Sequence, residues 1–366
     1  MFYATERFQP ILDSTILRSL LDTILDRTVI AGYTRVGYRV RRGMWSAAGM
    51  QPNVAGMQWS AAEMQPMNGK VVLLTGATSG LGLAAAEGFA RLGATIWLPA
   101  RSEQRGERAR AQIEARAPGS DVRVARCDLS DLRSVRRFAE LLCGETRRLD
   151  VLVNNAGTLA SERTLSVDGI ELTFATNVLG PFLLTNLLIP LLEQSKPGGR
   201  IINVSSGGMY TQRIHLDDLQ MEHERFDGPV AYARTKRAQV ILTELWAERL
   251  RDTGVVVHAM HPGWADTPGL QSSLPRFYGL TKRLLRTPQE GADTIVWLGA
   301  APEPARSSGG FWHDRRERPT HRVPWTRETP ADRERLWAEC ERLSGWHETS
   351  PTGPALPSPL GPDPTR

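Results

Sequence analysis

The sequence contains few cysteines. Among its 366 residues there are three, Cys127, Cys143 and Cys340, and no pair has C-x-x-C spacing. An odd, scattered set excludes a disulfide-stapled scaffold and a cysteine zinc site. A reducing compartment is the simplest interpretation, so we expect a cytoplasmic protein, with association with a membrane surface left open.

The chain also lacks long apolar runs and a large excess of charge of one sign. No run approaches the roughly 18 residues that span a bilayer. The first residues show no secretory signal pattern, and Asp13, Asp22 and Asp26 are unlike an acid-poor transit peptide. The net charge is only +5. No basic stripe dominates, so we do not expect nucleic acid as a partner.

The hydrophobic residues, 41% of the chain, are arranged as alternating strands and helices from Gly69 onward. Repeated strand–helix units favour a parallel sheet covered on both faces. The sequence therefore predicts an α/β fold: a Rossmann-type doubly wound parallel sheet, with an N-terminal amphipathic helical extension and a C-terminal extension. The predicted strands are 70–75, 94–98, 122–127, 150–154, 200–205 and 255–260.

Four regions follow from this pattern. Residues 1–67 form an N-terminal helical extension and linker, with the linker at 43–67, and residues 68–300 form the nucleotide-binding domain. Residues 301–348 wrap the core and end in a helix near 330–343. Residues 349–366 form a disordered tail, since 351–366 contain six prolines.

The N-terminal extension has an amphipathic helical pattern. Leu12, Ile16, Leu20 and Ile24 recur every four residues. One interpretation, which we favour, is a helix docked on the core or on a partner subunit. The other is peripheral contact with a membrane, helped by nearby basic side chains. Those side chains are Arg39, Arg41 and Arg42.

The most informative segment is a glycine-rich turn between a predicted strand and a predicted helix. Thr75-Gly76-Ala77-Thr78-Ser79-Gly80-Leu81-Gly82 follows the apolar run Val71–Leu74. This arrangement points backbone N–H groups and a helix N-terminus at a phosphate. The segment predicts a nucleotide site, although glycines also make ordinary turns.

Four further motifs follow in order along the chain: Asp128, Asn154-Asn155-Ala156-Gly157, Ser205-Ser206 and Tyr232-x-x-x-Lys236. Together with the glycine turn, they resemble the short-chain dehydrogenase/reductase superfamily over about residues 69–300. Val204–Met209, Phe226–Gly228, His261–Gly269 and the Phe311–Arg315 run resemble one branch of it. The gap from Ser206 to Tyr232 is longer than usual and resembles the retinol-dehydrogenase-like branch.

The resemblance implies an oxidoreductase and assigns its site residues. It implies catalytic roles for Asn177, Ser206, Tyr232 and Lys236, with Asn177 supporting a water-linked proton relay. The choice of Ser206 over Ser205 rests on alignment and strand alternation. The implied cofactor residues are Thr75, Gly76, Thr78, Ser79, Gly80, Leu81, Gly82, Arg101, Asp128, Leu129, Asn155, Ala156, Gly157, Tyr232, Lys236, Pro262, Gly263 and Thr267.

The tyrosine–lysine pair also suits this chemistry on physical grounds. Reducing a carbonyl requires a hydride on carbon and a proton on oxygen. A tyrosine has an ordinary pKa of about 10, and a neighbouring cation lowers it. Lys236 lies four residues after Tyr232, on the same helical face. Ser206 would polarise the substrate oxygen by donating a hydrogen bond.

The end of the second strand indicates the cofactor. An acid there would hold a ribose 2′-hydroxyl and repel a 2′-phosphate. The chain has Arg101-Ser102 instead, with Arg105 nearby, and an arginine pairs with phosphate through a fork of donors. We expect NADP, with NAD less favoured. We predict no metal, and we expect His258 and His261 to pack at a strand end.

The segment after Thr267 predicts an apolar lid, and with it an apolar alcohol or carbonyl substrate. Its large apolar residues begin with Leu270, Leu274 and Phe277, although the same residues could pack on the core. Lys282, Arg283 and Arg286 would then face solvent or a membrane. The helix at 229–251 carries an apolar face that suits either a monomer core or a homodimer or homotetramer interface: Val240, Ile241, Leu245 and Trp246.

Two alternatives to an enzyme remain open from sequence. The first is a non-catalytic nucleotide-binding scaffold, which has no need to keep Tyr232, Lys236 and Asn177. The second is a peripheral membrane protein in which residues 1–67 are the main functional element.

Overall fold

An eight-stranded sheet runs through the centre of the structure, a computed structural model that describes residues 21–23, 25–46 and 64–347. The strand order is β3-β2-β1-β4-β5-β6-β7-β8. Strands β1 to β7 are parallel, and β8 is antiparallel to β7. The α/β fold class predicted from sequence is confirmed. The strands are β1 (Val71–Leu74), β2 (Thr95–Ala100), β3 (Val122–Arg126), β4 (Val151–Asn154), β5 (Arg200–Val204), β6 (Val256–Met260), β7 (Phe311–His313) and β8 (Arg316–Arg318).

The central strands of the sheet are buried on both faces, which explains their nearly continuous apolar sequences. In β1, Val72 and Leu74 join one apolar cluster, whereas Leu73 joins the cluster on the opposite face. All three side chains are fully buried. Burying one such side chain contributes about 1.5–3 kcal/mol. The strands β3 and β8, at the two edges of the sheet, carry exposed arginines instead.

Helices cover both faces of the sheet. Residues of α3, α4 and α10 pack in the cluster with Val72, and residues of α5, α6, α7 and α11 pack in the cluster with Leu73. A short helix, Leu172–Phe174, and a π-helical segment, Ala175–Leu179, lead into α6. The helices are α1 (Val29–Tyr33), α2 (Arg35–Ser46), α3 (Gly80–Arg91), α4 (Glu103–Arg116), α5 (Leu132–Glu145), α6 (Gly180–Glu193), α7 (Gly228–Arg249), α8 (Pro268–Ser273), α9 (Pro275–Thr281), α10 (Pro288–Ala300) and α11 (Pro330–Ser344).

The strand order reverses beside β1, which pairs with β2 on one side and with β4 on the other. Open α/β sheets bind ligands in the crevice beyond the carboxyl ends of the strands at such a point. The glycine turn follows β1 and the Asn154–Gly157 segment follows β4. The topology therefore brings the two motifs together.

One helical stretch corrects the expectation about apolar runs. Leu172–Glu193 is long and apolar enough to span a membrane by length and composition alone. Most of it is buried inside the fold, between α5 and α7. It is the core helix of one face of the sheet, so its hydrophobicity is explained by packing.

The described N-terminal residues pack on the core. The predicted linker at 43–67 is too long at both ends, since α2 extends to Ser46 and the Met64 and Met67 side chains are buried. The Gln65 N–H donates to the carbonyl of Ala300 (3.2 Å). Several positions of earlier predictions lie outside the described residues: Leu12, Ile16, Leu20, Ile24 and the tail from 349 to 366.

A buried group of charges joins the N-terminal segment to the C-terminal strands. We call it the N-terminal clasp: Asp22, Arg41, Arg286, Asp314 and Arg318. Arg41 donates to Asp22 (2.9 Å) and to Asp314 (2.7 Å), and Arg286 donates twice to Asp314 (2.5 and 2.9 Å). Arg318 donates to both oxygens of Asp22. Arg286, which was expected to face solvent or a membrane, is instead 1% exposed and paired inside the fold. Arg41, one of the basic side chains of the membrane alternative, is also 1% exposed and paired, so it is not placed to contact a membrane.

The C-terminal region adds two strands and a helix to the core. Strands β7 and β8 extend the sheet beyond the predicted six strands, and α11 lies close to the predicted 330–343. The Trp337 ring of α11 packs 5.9 Å from the Trp246 ring and 5.0 Å from the Phe182 ring. The proposed interface residues Val240, Ile241, Leu245 and Trp246 are all buried within the chain.

Candidate active site

A cavity of about 740 Å³ opens at the carboxyl ends of β1, β4, β5 and β6. All the residues predicted to hold the cofactor line it, and so does Ser206. Asn177 is fully buried behind its wall. The topology thus brings together motifs that are far apart in sequence.

The glycine turn needs its glycines for close backbone approach. Gly76 has φ +67°, and a Cβ there would lie 2.7 Å from Cα of Ala156. A Cβ on Gly82 would lie 2.4 Å from the Gly76 carbonyl oxygen. The Thr75 hydroxyl accepts hydrogen bonds from the N–H groups of Asn155 and Ala156 (both 3.0 Å). These contacts fix the turn against the segment after β4.

The N-terminus of α3 is left open toward the cavity. Ser79 precedes α3 but makes no side-chain cap, whereas Ser102 caps α4 and Asp131 caps α5. The first N–H groups of a helix need acceptors, and a phosphate provides them. The donor set of this turn therefore fits the pyrophosphate of a dinucleotide.

The carboxyl end of β2 is basic. Arg101 is exposed and lines the cavity, and no acid occupies the strand end. Ser102 accepts from the Arg105 N–H (3.4 Å), and the Arg105 guanidinium donates to the Thr78 hydroxyl (3.4 Å). Two guanidinium groups thus lie beside the glycine turn, where they attract a phosphate.

The two asparagines after β4 have structural contacts. The Asn154 amide donates to Thr185 (3.0 Å) and to Asn203 on β5 (2.9 Å). The Asn155 amide donates to the Thr75 carbonyl (2.9 Å). These contacts join neighbouring strands and are compatible with a cofactor role, because Asn155 lines the cavity as well.

Serine, tyrosine and lysine side chains meet at one wall of the cavity. Ser206 follows β5, and Tyr232 and Lys236 lie one turn apart on α7. Both serines line the cavity. Ser205 is buried and its hydroxyl donates to the Lys236 carbonyl (2.8 Å). Ser206 is partly exposed, and its hydroxyl accepts from the Gly208 N–H (3.2 Å). Ser206 is therefore the more accessible of the two hydroxyls.

Burial shifts both ionisable groups of this wall toward their neutral forms. It raises the pKa of Tyr232, and the Ser206 hydroxyl lowers it in part. Burial lowers the pKa of Lys236 from 10.5 to about 7. The Lys236 ammonium lies 5.4 Å from the centre of the Tyr232 ring.

Asn177 lies in the π-helical segment and ties three parts of the site together. Its side-chain oxygen accepts from the Thr158 N–H (2.7 Å), and its amide donates to the Thr158 carbonyl (2.9 Å) and the Thr235 hydroxyl (3.0 Å). Its backbone carbonyl accepts from the Gln239 amide (2.7 Å). Gln239 was missed from sequence, because a glutamine three residues after a lysine has no distinctive pattern.

The segment after β6 closes the other side of the cavity. Thr267 caps α8, and a Cβ on Gly80 would lie 3.2 Å from its methyl group. His261 stacks on His313 (3.8 Å between ring centres), and His258 hydrogen bonds to Trp312 and to the Pro304 carbonyl. Burial holds the pKa of both His258 and His261 below its usual range.

The N-terminal segment supports this side of the site, which sequence reasoning also missed. The Tyr33 carbonyl accepts from the Trp264 N–H (2.8 Å) and from Arg286 (3.0 Å). A Cβ on Gly207 would lie 2.6 Å from the Tyr33 ring. Tyr33 thus packs against the segments that follow both β5 and β6.

The predicted apolar lid is divided between cavity and surface. Leu270, Leu274 and Phe277 line the cavity. Leu280 is 87% exposed, whereas Leu285 is fully buried. Only the first part of the lid segment is placed to contact a substrate.

The chain is similar to known oxidoreductases over most of its length. Residues 70–276 match the family described as short chain dehydrogenase. Dehydrogenase/reductase SDR family member 12 from Bos taurus is 42% identical over 279 residues, covering 75% of this chain and 86% of the relative.

Two further similarities bear on chemistry. Retinol dehydrogenase 14 from Mus musculus is 39% identical over 269 residues, covering 69% of this chain and 79% of the relative. The Pseudomonas aeruginosa RhlG/NADP active-site complex is 25% identical, with a TM-score of 0.56, and covers 68% of this chain and 96% of that chain.

Proposed function

The chain belongs to the short-chain dehydrogenase/reductase family, an oxidoreductase family acting on CH–OH groups, and from that premise we propose its specific reaction. It interconverts an apolar alcohol and its carbonyl compound, with NADP as cofactor and Tyr232 as acid and base. One observation carries the proposal: Ser206, Tyr232 and Lys236 share a cavity with the glycine turn.

The roles of the three side chains follow from their positions. The nicotinamide cofactor supplies or accepts the hydride when bound. Ser206 donates a hydrogen bond to the substrate oxygen and polarises the carbonyl. Tyr232 gives its proton to that oxygen during reduction and takes one during oxidation. Lys236 keeps donor capacity for the cofactor ribose and for stabilising the phenolate.

The preference for NADP rests on the basic end of β2. Arg101 and Arg105 offer guanidinium donors to a 2′-phosphate, and the strand end has no acid to hold a free 2′-hydroxyl. The similarity to an NADP complex supports the same cofactor. The apolar lining residues Leu270, Leu274 and Phe277 favour an apolar substrate.

The first experiment separates nucleotide binding from turnover. NADPH and NADH are titrated by nicotinamide fluorescence, and Tyr232→Phe is assayed on apolar aldehydes, ketones and alcohols. We expect both proteins to bind NADPH, and the variant to lose 10²-fold or more in kcat, the usual size of acid–base catalysis. Tyr278→Phe, which removes a hydroxyl outside the cavity lining, is the matched control and should keep full activity.

The outcomes discriminate among the functions. Binding without turnover on any substrate would favour the nucleotide-binding scaffold, and absence of binding would remove the basis of the proposal. Arg101→Asp tests the cofactor: it should weaken NADPH far more than NADH, and Arg108→Asp, an exposed arginine further along α4, should not. Equal losses for the two nucleotides would contradict the NADP assignment.

A further inference from the structure

A single side chain lies between Lys236 and Asn177. The Lys236 ammonium donates to the Gln239 side-chain oxygen (3.0 Å) and to the Val204 carbonyl (2.8 Å). At its other end, the Gln239 amide nitrogen donates to the Asn177 carbonyl (2.7 Å). Gln239 is 4% exposed. The orientation of the amide is fixed by chemistry, since an ammonium only donates and a carbonyl only accepts.

The backbone explains why the Asn177 carbonyl takes a side-chain partner. Asn177 lies in the π-helical segment Ala175–Leu179, where the α-helical hydrogen-bond pattern is interrupted. Pro181 is four residues later and has no N–H to give that carbonyl the usual bond. A buried carbonyl needs a donor, and Gln239 supplies it from α7.

We propose that Gln239 is a positioning residue, which holds the Lys236 ammonium at one end and the Asn177 carbonyl at the other. Its amide occupies the place between them that a relay water would take. The family resemblance implies a water-linked relay through Asn177, so this chain departs from that pattern. The inference rests on the proposed function of Lys236 beside Tyr232.

Gln239 forms a hydrogen-bonded bridge between Lys236 and Asn177, and the surroundings of Lys236 make this bridge important for the pKa of the lysine. The ammonium faces the Tyr232 phenol on its own helix, the Val204 carbonyl on β5, Gly157 after β4, and Gln239. Within the described residues, no carboxylate contacts it. Neutral acceptors alone hold a buried charge, so the pKa of Lys236 is low and responds to any change at Gln239.

Two substitutions test the bridge through a pH profile. Gln239→Glu keeps an acceptor and adds a negative charge. It should move the rising limb of kcat/KM for alcohol oxidation upward by about one pH unit, since a nearby anion raises the pKa of both Lys236 and Tyr232. Gln239→Met removes both hydrogen bonds and should lower kcat about tenfold.

A matched control separates positioning from packing. Thr243→Val removes a fully buried hydroxyl one turn further along α7, which hydrogen bonds to Asn203 and to the Gln239 carbonyl. This variant should not shift the rising part of the pH profile of kcat/KM. If the rising part of the kcat/KM profile lies at the same pH in both Gln239 variants and in the wild type, Gln239 has only a packing role and the proposal is wrong.

Two measurements do not depend on turnover by the variants. A crystal structure of the wild type with NADPH that shows a water between Lys236 and Asn177, with Gln239 turned away, would overturn the proposal. The unfolding free energy gives the second measurement. Lys236 makes it rise with pH above about 7, and Gln239→Glu should reduce that rise. A wild type without turnover would defeat the proposed function alone, because the unfolding measurement still tests Gln239.

Discussion

Two buried polar regions of this molecule differ in whether their charged side chains are paired with opposite charges. In the N-terminal clasp, each buried charge meets an opposite charge: Arg41 and Arg286 meet Asp314, and Arg41 and Arg318 meet Asp22. Behind the cavity, Lys236 meets only neutral acceptors. Paired charges resist titration and hold segments together. Without an opposite charge, burial lowers the pKa of Lys236 to about 7.

The largest expected effect comes from breaking the clasp. Asp314→Asn leaves Arg286 without its carboxylate partner and should lower the free energy of unfolding by about 3–5 kcal/mol. Chemical denaturation measures the change. Glu248→Gln, which breaks an exposed pair with Arg333, is the control and should cost no more than about 1 kcal/mol. Equal losses in the two variants would show that the clasp behaves like a surface ion pair.

An effect of intermediate size is expected above neutral pH, where Lys236 should make the free energy of unfolding depend on pH. The unfolded lysine binds a proton more tightly than folded Lys236, so its contribution to stability increases as pH rises from about 7 toward 10.5. Lys236→Met should remove a rise of about 3 kcal/mol between pH 7 and 9.5. Burial raises the pKa of Cys127 to about 12, which acts in the opposite direction.

Because of such opposing groups, the measured quantity is the difference between the wild-type and Lys236→Met unfolding profiles, in which the cysteines cancel. Parallel profiles would mean that Lys236 is compensated in the folded protein. The contrast with the clasp would then disappear.

The smallest effect tests the clasp in acid. Its arginines lower the pKa of Asp22 from 3.8 to about 2, although burial opposes them. This stabilisation is complete above about pH 4 and is lost as pH falls through 2, for a total of about 2 kcal/mol. Unfolding free energies at pH 5 and pH 3 should therefore fall further in the wild type than in Asp22→Asn. An identical fall in both proteins would show that Asp22 is not the titrating group.

Local sequence patterns predicted the sheet and the cofactor turn. Strands β1, β2, β4, β5 and β6 are mostly apolar runs, and their burial on both faces is typical of a parallel sheet. The glycine turn depends on backbone approach at Gly76 and Gly82, and only glycine allows it there. These features are local, so a single sequence is sufficient to find them.

The parts that sequence reasoning missed depend on distant partners. Strands β7 and β8 have three residues each and exist because they pair with β6 and with each other. Arginine is usually a surface residue. Arg41 and Arg286 are buried here because they pair with two aspartates, Asp22 and Asp314, that are not their neighbours in sequence. Gln239 gains its contact from a carbonyl 62 residues earlier, in an irregular helix. Residue type gives no sign of such pairings.

The contact between Tyr33 and Gly207 shows which N-terminal residues a shortened form of this protein would have to keep. The family match begins at residue 70, so a shortened protein cut at that boundary would lose Tyr33. It would uncover Gly207, next to Ser206, and would free the Trp264 N–H and Arg286 from their shared acceptor. Proteolysis or a fused tag near Tyr33 would thus alter the substrate side of the site while leaving the nucleotide turn whole. The N-terminal segment is therefore a structural part of this wall of the cavity, although it lies outside the family match.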